Sequence, residues 1–361
     1  MNFKKLGLFF LAFVIIFTLG ACQAQQPQGG QGTSTNQPSK AGTLLNGAGS
    51  SFVHPLVEKA KGGYEQKSGV KINYQPIGSG GGIKQLTEKT VDFAASDAPM
   101  KQDEIQKAGG NVLHIPVTLG GVAITYNLEG VKDLKLTSDV IAEIYTGKIT
   151  KWNDKKITDL NPGVTLPDTT IAPVYRSEGS GTTYIFTSYM NAAVPSIWTD
   201  KMVDKNMVMD NVTSAISAKG NAGVAAQIQN AKNTIGYVEL AYVIQNNMSS
   251  ALVKNKDGNF VTPSLDTVTA AAAGAAQSFQ NDMKSSLVNQ PGKDAYPIVG
   301  TTWALVYEKS PLDQAKTKQV VDFIKYLVTD GQQYSKDLGY APLPKEIQDL
   351  DLKELDKVQA K

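Results

Sequence analysis

The chain has 361 residues and a formal net charge of +2 at pH 7, with 35 lysines and arginines against 33 acidic residues. A chain so close to neutral is not expected to coat nucleic acid or to bind an anionic membrane surface, so its ligand must bind at a local site. The single cysteine excludes an intrachain disulfide. Residues 42–361, the part that we expect to fold, are numerous enough for two domains.

The first residues have the features of an export signal. A basic start, MNFKK, precedes an apolar run of 14 residues that ends at Leu19. This run is too short to span a bilayer and has the length of a signal-peptide core. It leads into Leu-Gly-Ala-Cys22, which resembles a bacterial lipobox. We therefore predict a lipoprotein signal peptide over residues 1–21, cut before a lipidated Cys22. An ordinary secretory leader that happens to carry a cysteine is the alternative.

A polar segment follows Cys22. The sequence QAQQPQGGQGTSTNQPSK has almost no apolar side chains, so it cannot bury enough surface to offset its chain entropy. We predict that residues 22–41 combine the lipidated cysteine with a disordered tether, whose r.m.s. reach is roughly 23 Å. The folded part would then contact the membrane only through the lipid on Cys22.

Strands and helices are predicted in alternation along the rest of the chain. Period-two segments indicate strands and segments with a 3.6-residue period indicate helices. The predicted strands are 69–77, 122–127, 170–176 and 296–308, and the predicted helices are 84–90, 138–147, 183–193, 267–286 and 317–331. The last helix has the clearest apolar stripe, in Val320, Ile324 and Leu327. This alternation predicts an α/β architecture with largely parallel sheets.

Three glycine-rich turns are predicted, each between a strand and a helix. They are residues 46–52 (NGAGSSF), 78–82 (GSGGG) and 176–182 (RSEGSGT). Glycine allows close backbone approach, and the first N–H groups of a helix lie unpaired at the positive end of its dipole. Such a turn can bind a small anion. Any one of these turns, taken alone, is better explained by ordinary Ser or Thr capping of a helix.

The third turn contains Arg176, the only arginine in the chain. A guanidinium is a planar fork of donors that fits phosphate or carboxylate bidentately, which lysine cannot copy. The arginine and the three turns together predict an anion site. The alternative is that the position of the single arginine has no functional meaning, since one arginine must lie somewhere in the chain. There is no Walker motif, and Ile83 stands where a dinucleotide fingerprint needs its third glycine. We therefore expect an anion that is not part of a nucleotide.

Asp97 lies in a loop of small residues, VDFAASDAP (91–99). Taken alone, an aspartate before Ala-Pro is an ordinary turn residue. Inside an anion site, its carboxylate could accept the proton of hydrogen phosphate and would repel sulfate, which carries no proton near neutral pH.

The segments GAGSSF, YQPIGSGGG, VDFAASDAPM, IYTGKITKWND, YRSEGSGTTYIFTSY, NTIGYVELAY and YPIVGTTW resemble, in order, those of the phosphate-binding protein of bacterial high-affinity phosphate ABC transporters. The resemblance extends from Gly42 to Pro344. It implies a two-lobe periplasmic-binding-protein-like fold of type II, with two crossover strands as a hinge and the ligand in the cleft. Lobe I would comprise residues 42–116 and 293–361, and lobe II residues 117–292.

The same resemblance implies a set of phosphate ligands. Carried over by position, they are Ser51 and Phe52 from the first turn, Ser79 from the second, Asp97, and Arg176, Ser180, Gly181 and Thr182 from the third. Asp97 would accept the phosphate proton, Arg176 would be the only charged donor, and the others would supply hydroxyl or N–H groups. There are two departures from the family pattern. Ser51 stands where threonine is frequent, and Glu178 replaces an aspartate that is thought to orient the arginine, which puts that geometry in doubt.

The resemblance also implies a partner and a location. We expect an extracytoplasmic, monomeric lipoprotein that binds inorganic phosphate and delivers it to the permease subunits of an ABC transporter, with no cofactor and no metal. A phosphate-dependent sensor or surface adhesin is the alternative, since a docking surface for permease carries no motif that can be recognised. Arsenate, which also carries a proton, stays open as a ligand, whereas Asp97 argues against sulfate and molybdate.

A phosphate-ester hydrolase is the alternative from another class of protein. Phosphatases need clustered metal ligands or an activated nucleophile. The chain has only two histidines, His54 and His114, and Ser180 lies in E-G-S-G-T, which is not the G-x-S-x-G elbow. We therefore expect no catalytic residues and no enzyme.

Overall fold

The computed structural model describes residues 44–361. The predicted signal peptide (1–21), the lipidated Cys22 and the tether (22–41) lie outside the described residues and stay predictions. Strands and helices alternate along the described part, so the predicted α/β class is confirmed.

The strands form one large curled sheet and one small sheet. Their bounds are β1 (Leu44–Gly49), β2 (Lys71–Gln75), β3 (Phe93–Ser96), β4 (Val112–Asn127), β5 (Lys135–Leu136), β6 (Ala172–Arg176), β7 (Ile216–Ala218), β8 (Thr234–Glu239), β9 (Leu252–Lys254), β10 (Phe260–Val261) and β11 (Val299–Tyr307). The order of the large sheet is β2-β1-β3-β11-β4-β8-β6-β7, and that of the small sheet is β10-β9-β5.

Helices follow most of the strands. They are α1 (His54–Ser68), α2 (Ser79–Thr87), α3 (Gln102–Ala108), α4 (Ser138–Tyr145), α5 (Lys155–Leu160), α6 (Gly181–Ala193), α7 (Gly220–Asn230), α8 (Leu240–Gln245), α9 (Leu265–Ala272), α10 (Ala275–Asn281), α11 (Gln314–Val328) and α12 (Lys345–Leu355). Short 3₁₀ helices are found at Asp200–Met202, Asp330–Tyr334 and Lys336–Leu338.

The large sheet is mixed and not largely parallel as predicted, because antiparallel strands separate a parallel group at each end. At one end β1 pairs in parallel with both β2 and β3, and at the other end β6 pairs in parallel with both β7 and β8. Parallel neighbours need crossover connections, which the helices supply. Each group therefore has its own covering helices and forms the sheet of one lobe.

Strand β4 connects the two ends of this sheet. Its first part, up to Gly121, pairs antiparallel with β11, and its second part, from Val122, pairs antiparallel with β8. The strand is buried along almost its whole length. The lobes are thus joined by a continuous strand, and the boundaries at residues 116 and 293 stay predictions.

The prediction missed one stretch of strand and joined two helices into one. The first part of β4 was not predicted, because Pro116, Gly120 and Gly121 mask its strand pattern. Pro116 lies where the register of β4 with β11 is irregular, a position that tolerates a residue without an N–H donor. The predicted helix 267–286 was wrong in extent: α9 and α10 are separate, with Gly274 between them, since glycine is a poor helix former.

The glycine-rich turns lie partly inside helices. The prediction began helices at residues 84 and 183, but α2 begins at Ser79 and α6 at Gly181. The carboxyl ends of β1, β3 and β6 meet near these helix starts, where open α/β sheets bind their ligands. The fold therefore places the three turns around one cleft.

Candidate anion-binding site

The first turn bends sharply after β1. Gly49 has φ +134°, and a Cβ there would lie 2.1 Å from the carbonyl oxygen of Ala95, so only glycine fits. The next residue, Ser50, donates from its hydroxyl to Asp97 Oδ1 at 2.5 Å. The same hydroxyl accepts from the N–H of Phe52 at 3.0 Å. The N–H of Phe52, predicted to be a phosphate donor, is therefore engaged by Ser50.

Asp97 is a buried carboxylate, 2% exposed. Its Oδ1 also accepts from the hydroxyl of Thr302 at 2.6 Å, and its N–H donates to the Ser79 hydroxyl at 3.1 Å. Burial raises the pKa of Asp97 to about 6, while hydrogen bonds from Ser50, Thr302 and Ser79 and the charge of Arg176 oppose the rise. The carboxylate is therefore mainly ionised at neutral pH.

The other oxygen of Asp97 lies against the start of α6 in the opposite lobe. A Cβ built on Gly181 would lie only 2.5 Å from Asp97 Oδ2 and from the Ser79 hydroxyl. Gly181 lets the acceptor approach the free N–H groups at the helix start. The two lobes therefore place a proton acceptor beside a set of donors.

Arg176 ends β6 with a side chain that is almost fully buried. Its Nη1 donates to the hydroxyl of Thr182 at 3.2 Å, and its Nη2 donates to the hydroxyl of Ser51 at 3.1 Å. Nε and Nη2 both donate to Oε1 of Glu178, which also accepts the N–H of Gly220 at 3.0 Å. Glu178, with its extra methylene, thus contacts the arginine through one carboxylate oxygen.

The hydroxyl of Ser180 caps α6. It accepts from the N–H of Thr183 at 3.1 Å, and the N–H of Ser180 donates to the carbonyl of Lys205 at 2.8 Å. The hydroxyl oxygen of Ser180 therefore acts as an ordinary helix cap, as the alternative interpretation of this turn predicted. Its O–H, like the N–H groups at the start of α6, can still donate into the cleft.

The structure brings all the predicted ligand residues together. Contacts between lobes join Ser51 to Arg176, and the start of α6 lies against Asp97 and Ser79. All of them are buried, and those other than Gly181 are at most 3% exposed. A ligand held here would be removed from water, which strengthens each electrostatic contact.

Sequence reasoning missed three polar residues of the site. Ser50 and Thr302 hold Asp97, and Asn221 donates to the hydroxyls of both Ser51 and Thr182. Ser50 and Thr302 lie in segments that carried the resemblance, GAGSSF and YPIVGTTW, but were given no role. Only a Gly-Asn pair marks Asn221 in the sequence, and it is 170 residues from Ser51.

Other contacts join the lobes at the rim of the cleft. The N–H of Gly80 donates to the carbonyl of Gly179 at 2.8 Å. Lys101 pairs with Asp204 at 2.7 Å. Lys205 pairs with Glu104 at 2.5 Å and is itself 6% exposed. The described conformation is therefore a closed cleft.

Two lobes that close over a buried set of donors, with one guanidinium and one carboxylate, define a bilobal solute-binding protein. In agreement, residues 25–331 match the PBP superfamily domain. A phosphate-binding protein from Stenotrophomonas maltophilia has the same fold, with a TM-score of 0.68 at 20% identity, over 86% of this chain and 93% of that one. The predicted periplasmic-binding-protein-like fold is therefore confirmed.

Sequence relatives define the family more narrowly. The chain is 41% identical over 316 residues to the phosphate-binding protein PstS of Xylella fastidiosa, which covers 86% of this chain and 85% of that protein. It is 39% identical over 305 residues to PstS of Pasteurella multocida, covering 84% and 87%. The chain belongs to the PstS family of phosphate-binding proteins, as the resemblance predicted. This is a family of solute-binding proteins.

Proposed function

We propose that the chain binds inorganic phosphate in the closed cleft and delivers it to the permease of a phosphate ABC transporter. The observation that carries the proposal is the position of Asp97, whose Oδ2 lies against the start of α6. A single proton acceptor among N–H, hydroxyl and guanidinium donors matches hydrogen phosphate, which has acceptor oxygens and one P–OH. The relatives' names support the same ligand.

The predicted site residues take complementary roles in this proposal. Arg176 supplies the positive charge, and Asp97 accepts the ligand proton. Donors would come from Ser51, from Ser79, and from Ser180, Gly181 and Thr182. The N–H of Phe52 would join them only by leaving the Ser50 hydroxyl. Sulfate would leave Asp97 facing an unprotonated oxygen, so a buried charge repulsion would exclude it. Arsenate satisfies the same pattern.

The chain is further proposed to act outside the cytoplasm, anchored through a lipid on Cys22. The sequence features of residues 1–22 support this location. Among the residues that the structure describes, no helix is long and apolar enough to cross a membrane. A single lipid-anchored copy would capture phosphate and present it to permease subunits.

We propose that the chain is a carrier and not an enzyme. The family is one of solute-binding proteins. Ser180, the serine weighed as a nucleophile in the sequence analysis, serves as the cap of α6, where its hydroxyl oxygen accepts the N–H of Thr183. Release of phosphate from a model ester that depends on Ser180 would contradict this assignment.

Calorimetric titration tests the ligand directly. Residues Lys40–Lys361, which form one compact unit, are freed of endogenous phosphate and titrated with phosphate and then sulfate at neutral pH. One-to-one phosphate binding at micromolar Kd or tighter, roughly −8 kcal/mol or better, is expected, without a sulfate response. Absence of phosphate binding by the stripped protein would refute the proposal.

A further inference from the structure

Asn221 connects the two sides of the site. It is fully buried at the second position of α7. Its Nδ2 donates to the hydroxyl oxygens of Ser51 and Thr182, each at 3.0 Å. Its Oδ1 accepts from the N–H of Glu239 at 3.0 Å, which fixes the orientation of the amide. Both amide hydrogens therefore point at hydroxyl oxygens of predicted ligand residues.

The acceptor capacity of Thr182 is filled by these contacts. A hydroxyl oxygen has two lone pairs and one hydrogen. Thr182 Oγ1 accepts from Arg176 Nη1 at 3.2 Å and from Asn221 Nδ2 at 3.0 Å. Its one remaining possibility is to donate its hydrogen.

The hydroxyl oxygen of Ser51 also has its lone pairs filled, and it has one more donor than it needs. Its hydroxyl oxygen accepts from Arg176 Nη2 at 3.1 Å, from the N–H of Asn221 at 3.1 Å and from Asn221 Nδ2 at 3.0 Å. Without the amide side chain, two donors would still fill its lone pairs. The Asn221 side chain is therefore decisive for Thr182 and redundant for Ser51.

Resting on the proposed phosphate function, we propose that Asn221 is a positioning residue that restricts the protonation state of the bound ligand. It makes Thr182 a donor only, so the ligand oxygen that Thr182 contacts must be unprotonated and the ligand proton is directed away from this side of the site, towards Asp97. Hydrogen phosphate, with one proton, satisfies this arrangement. In dihydrogen phosphate, a second proton on the oxygen that faces Thr182 would meet a donor, which costs a hydrogen bond and adds a repulsion.

The competing explanation is purely structural. Asn221 also joins α7 to the end of β8 through Glu239, so its loss could weaken the fold without any effect on ligand protonation. The two explanations differ in pH dependence. A structural defect weakens phosphate binding equally at each pH, whereas a freed lone pair on Thr182 helps only the more protonated ligand.

The test compares phosphate Kd values of the wild type and Asn221→Ala between about pH 6 and about pH 8. The variant is expected to bind about tenfold more weakly at the upper pH, and its ratio of Kd at low pH to Kd at high pH is expected to shrink about three- to tenfold. The titratable and charged groups around the network are Asp97, Arg176, Glu178, Tyr237, Glu239, Tyr242 and Tyr340. All are retained in the variant. Parallel pH profiles for the two proteins would overturn the proposal.

Two further variants make the test specific. In a Thr182→Val background no lone pair can be freed, so adding Asn221→Ala is expected to leave the pH profile unchanged. Asn161→Ala is the matched control, because Asn161 is also a buried amide that bridges backbone groups, through Lys135 and Ile157, away from the cleft. A changed profile in either control would also count against the proposal.

If the alanine variant does not fold, Asn221→Asp is used in its place to test the proposal. It keeps an acceptor for the Glu239 N–H but replaces the amide donor by an oxygen, to which Thr182 would donate. Phosphate Kd is expected to rise about 100-fold or more, because a ligand donor is withdrawn and a like charge is added. Binding within about threefold of the wild type would overturn the proposal. Failure of the wild type to bind phosphate would instead refute the proposed function.

Discussion

The cleft and the C-terminal helix α12 each bury a carboxylate, but they treat it differently. Asp97 in the cleft accepts hydrogen bonds from Ser50 and Thr302 and lies near Arg176, and burial raises its pKa only to about 6. Asp351 in α12 is fully buried, and neither of its oxygens has a hydrogen-bond partner among the described residues. Burial, with a smaller contribution from Glu354, raises the pKa of Asp351 to about 9.

The comparison shows that partners, and not burial alone, decide whether a buried acid is charged at neutral pH. Three hydroxyl groups and a guanidinium keep Asp97 available as a proton acceptor. Asp351 is neutral under the same conditions, since nothing compensates its desolvation. Hydrogen-bond donors are thus concentrated in the cleft, where the proposed function places the Asp97 carboxylate next to an anionic ligand.

Removal of the cation from the cleft should have the largest effect. Arg176→Ala is expected to leave the fold intact and to cost roughly 3–5 kcal/mol of phosphate binding, the usual scale for breaking a buried charge pair. Titration calorimetry measures the loss. Arg176→Lys is the control, and little rescue is expected because a single ammonium cannot contact Ser51, Thr182 and Glu178 together. A tight phosphate Kd in the alanine variant would contradict the role of Arg176 as the charged phosphate donor.

Adding a methyl group at the contact between Asp97 and α6 should have the second-largest effect on phosphate affinity. In Gly181→Ala the new methyl group would lie 2.5 Å from Asp97 and Ser79, so the lobes could not close fully. A loss of about 2–3 kcal/mol of phosphate affinity is expected. Gly62→Ala is the control, since its methyl group would meet nothing within 4 Å. Equal affinities in the two variants would show that closure does not depend on this contact.

The protonation of Asp351, the second buried carboxylate, is tested through the free energy of unfolding. Because the pKa of Asp351 is higher in the folded state, the folded state binds the proton more tightly. The resulting stabilisation is complete below the ordinary value of 3.8 and is lost as the pH rises towards about 9. Asp351→Asn should therefore raise the free energy of unfolding by about 2 kcal/mol near pH 8 and change it little at acidic pH. Denaturant unfolding at both pH values measures this.

A control for that experiment lies in the same helix. Asp349 is half exposed and pairs with Lys345, so Asp349→Asn should change the free energy of unfolding by less than about 0.5 kcal/mol at either pH. If both asparagine variants have the same pH slope as the wild type, Asp351 does not titrate as described.

The smallest expected effect concerns a buried charge at the rim that does have a partner. Lys205→Ala removes the ion pair with Glu104 across the closed cleft and should weaken phosphate binding by about 1 kcal/mol, with reduced salt dependence. Lys101, whose side chain is 55% exposed in its pair with Asp204, should matter less when changed to alanine. A larger loss for Lys101 would contradict the ranking by burial.

Much of the site could be predicted because its residues lie in short continuous segments. The turn around Arg176 holds its own cap at Ser180 and its own counter-ion at Glu178, so both could be recognised locally. Asn221 could not be, since its partners Ser51 and Thr182 come from distant segments. The first part of β4 was missed for a related reason: a strand with proline and glycine is stable there only because neighbouring strands cover it.

The sequence by itself determined the α/β class, the three turns and the single guanidinium, because periodicity, glycine and arginine act through local geometry. Membership of the family follows from the same continuous segments. Only the tertiary structure decided that Ser50 and Thr302 keep Asp97 charged and that Asn221 and Arg176 together fill the lone pairs of Thr182. The physical reason is that a pKa and a hydroxyl's role depend on the groups within hydrogen-bond distance, which the fold gathers from segments far apart in the chain.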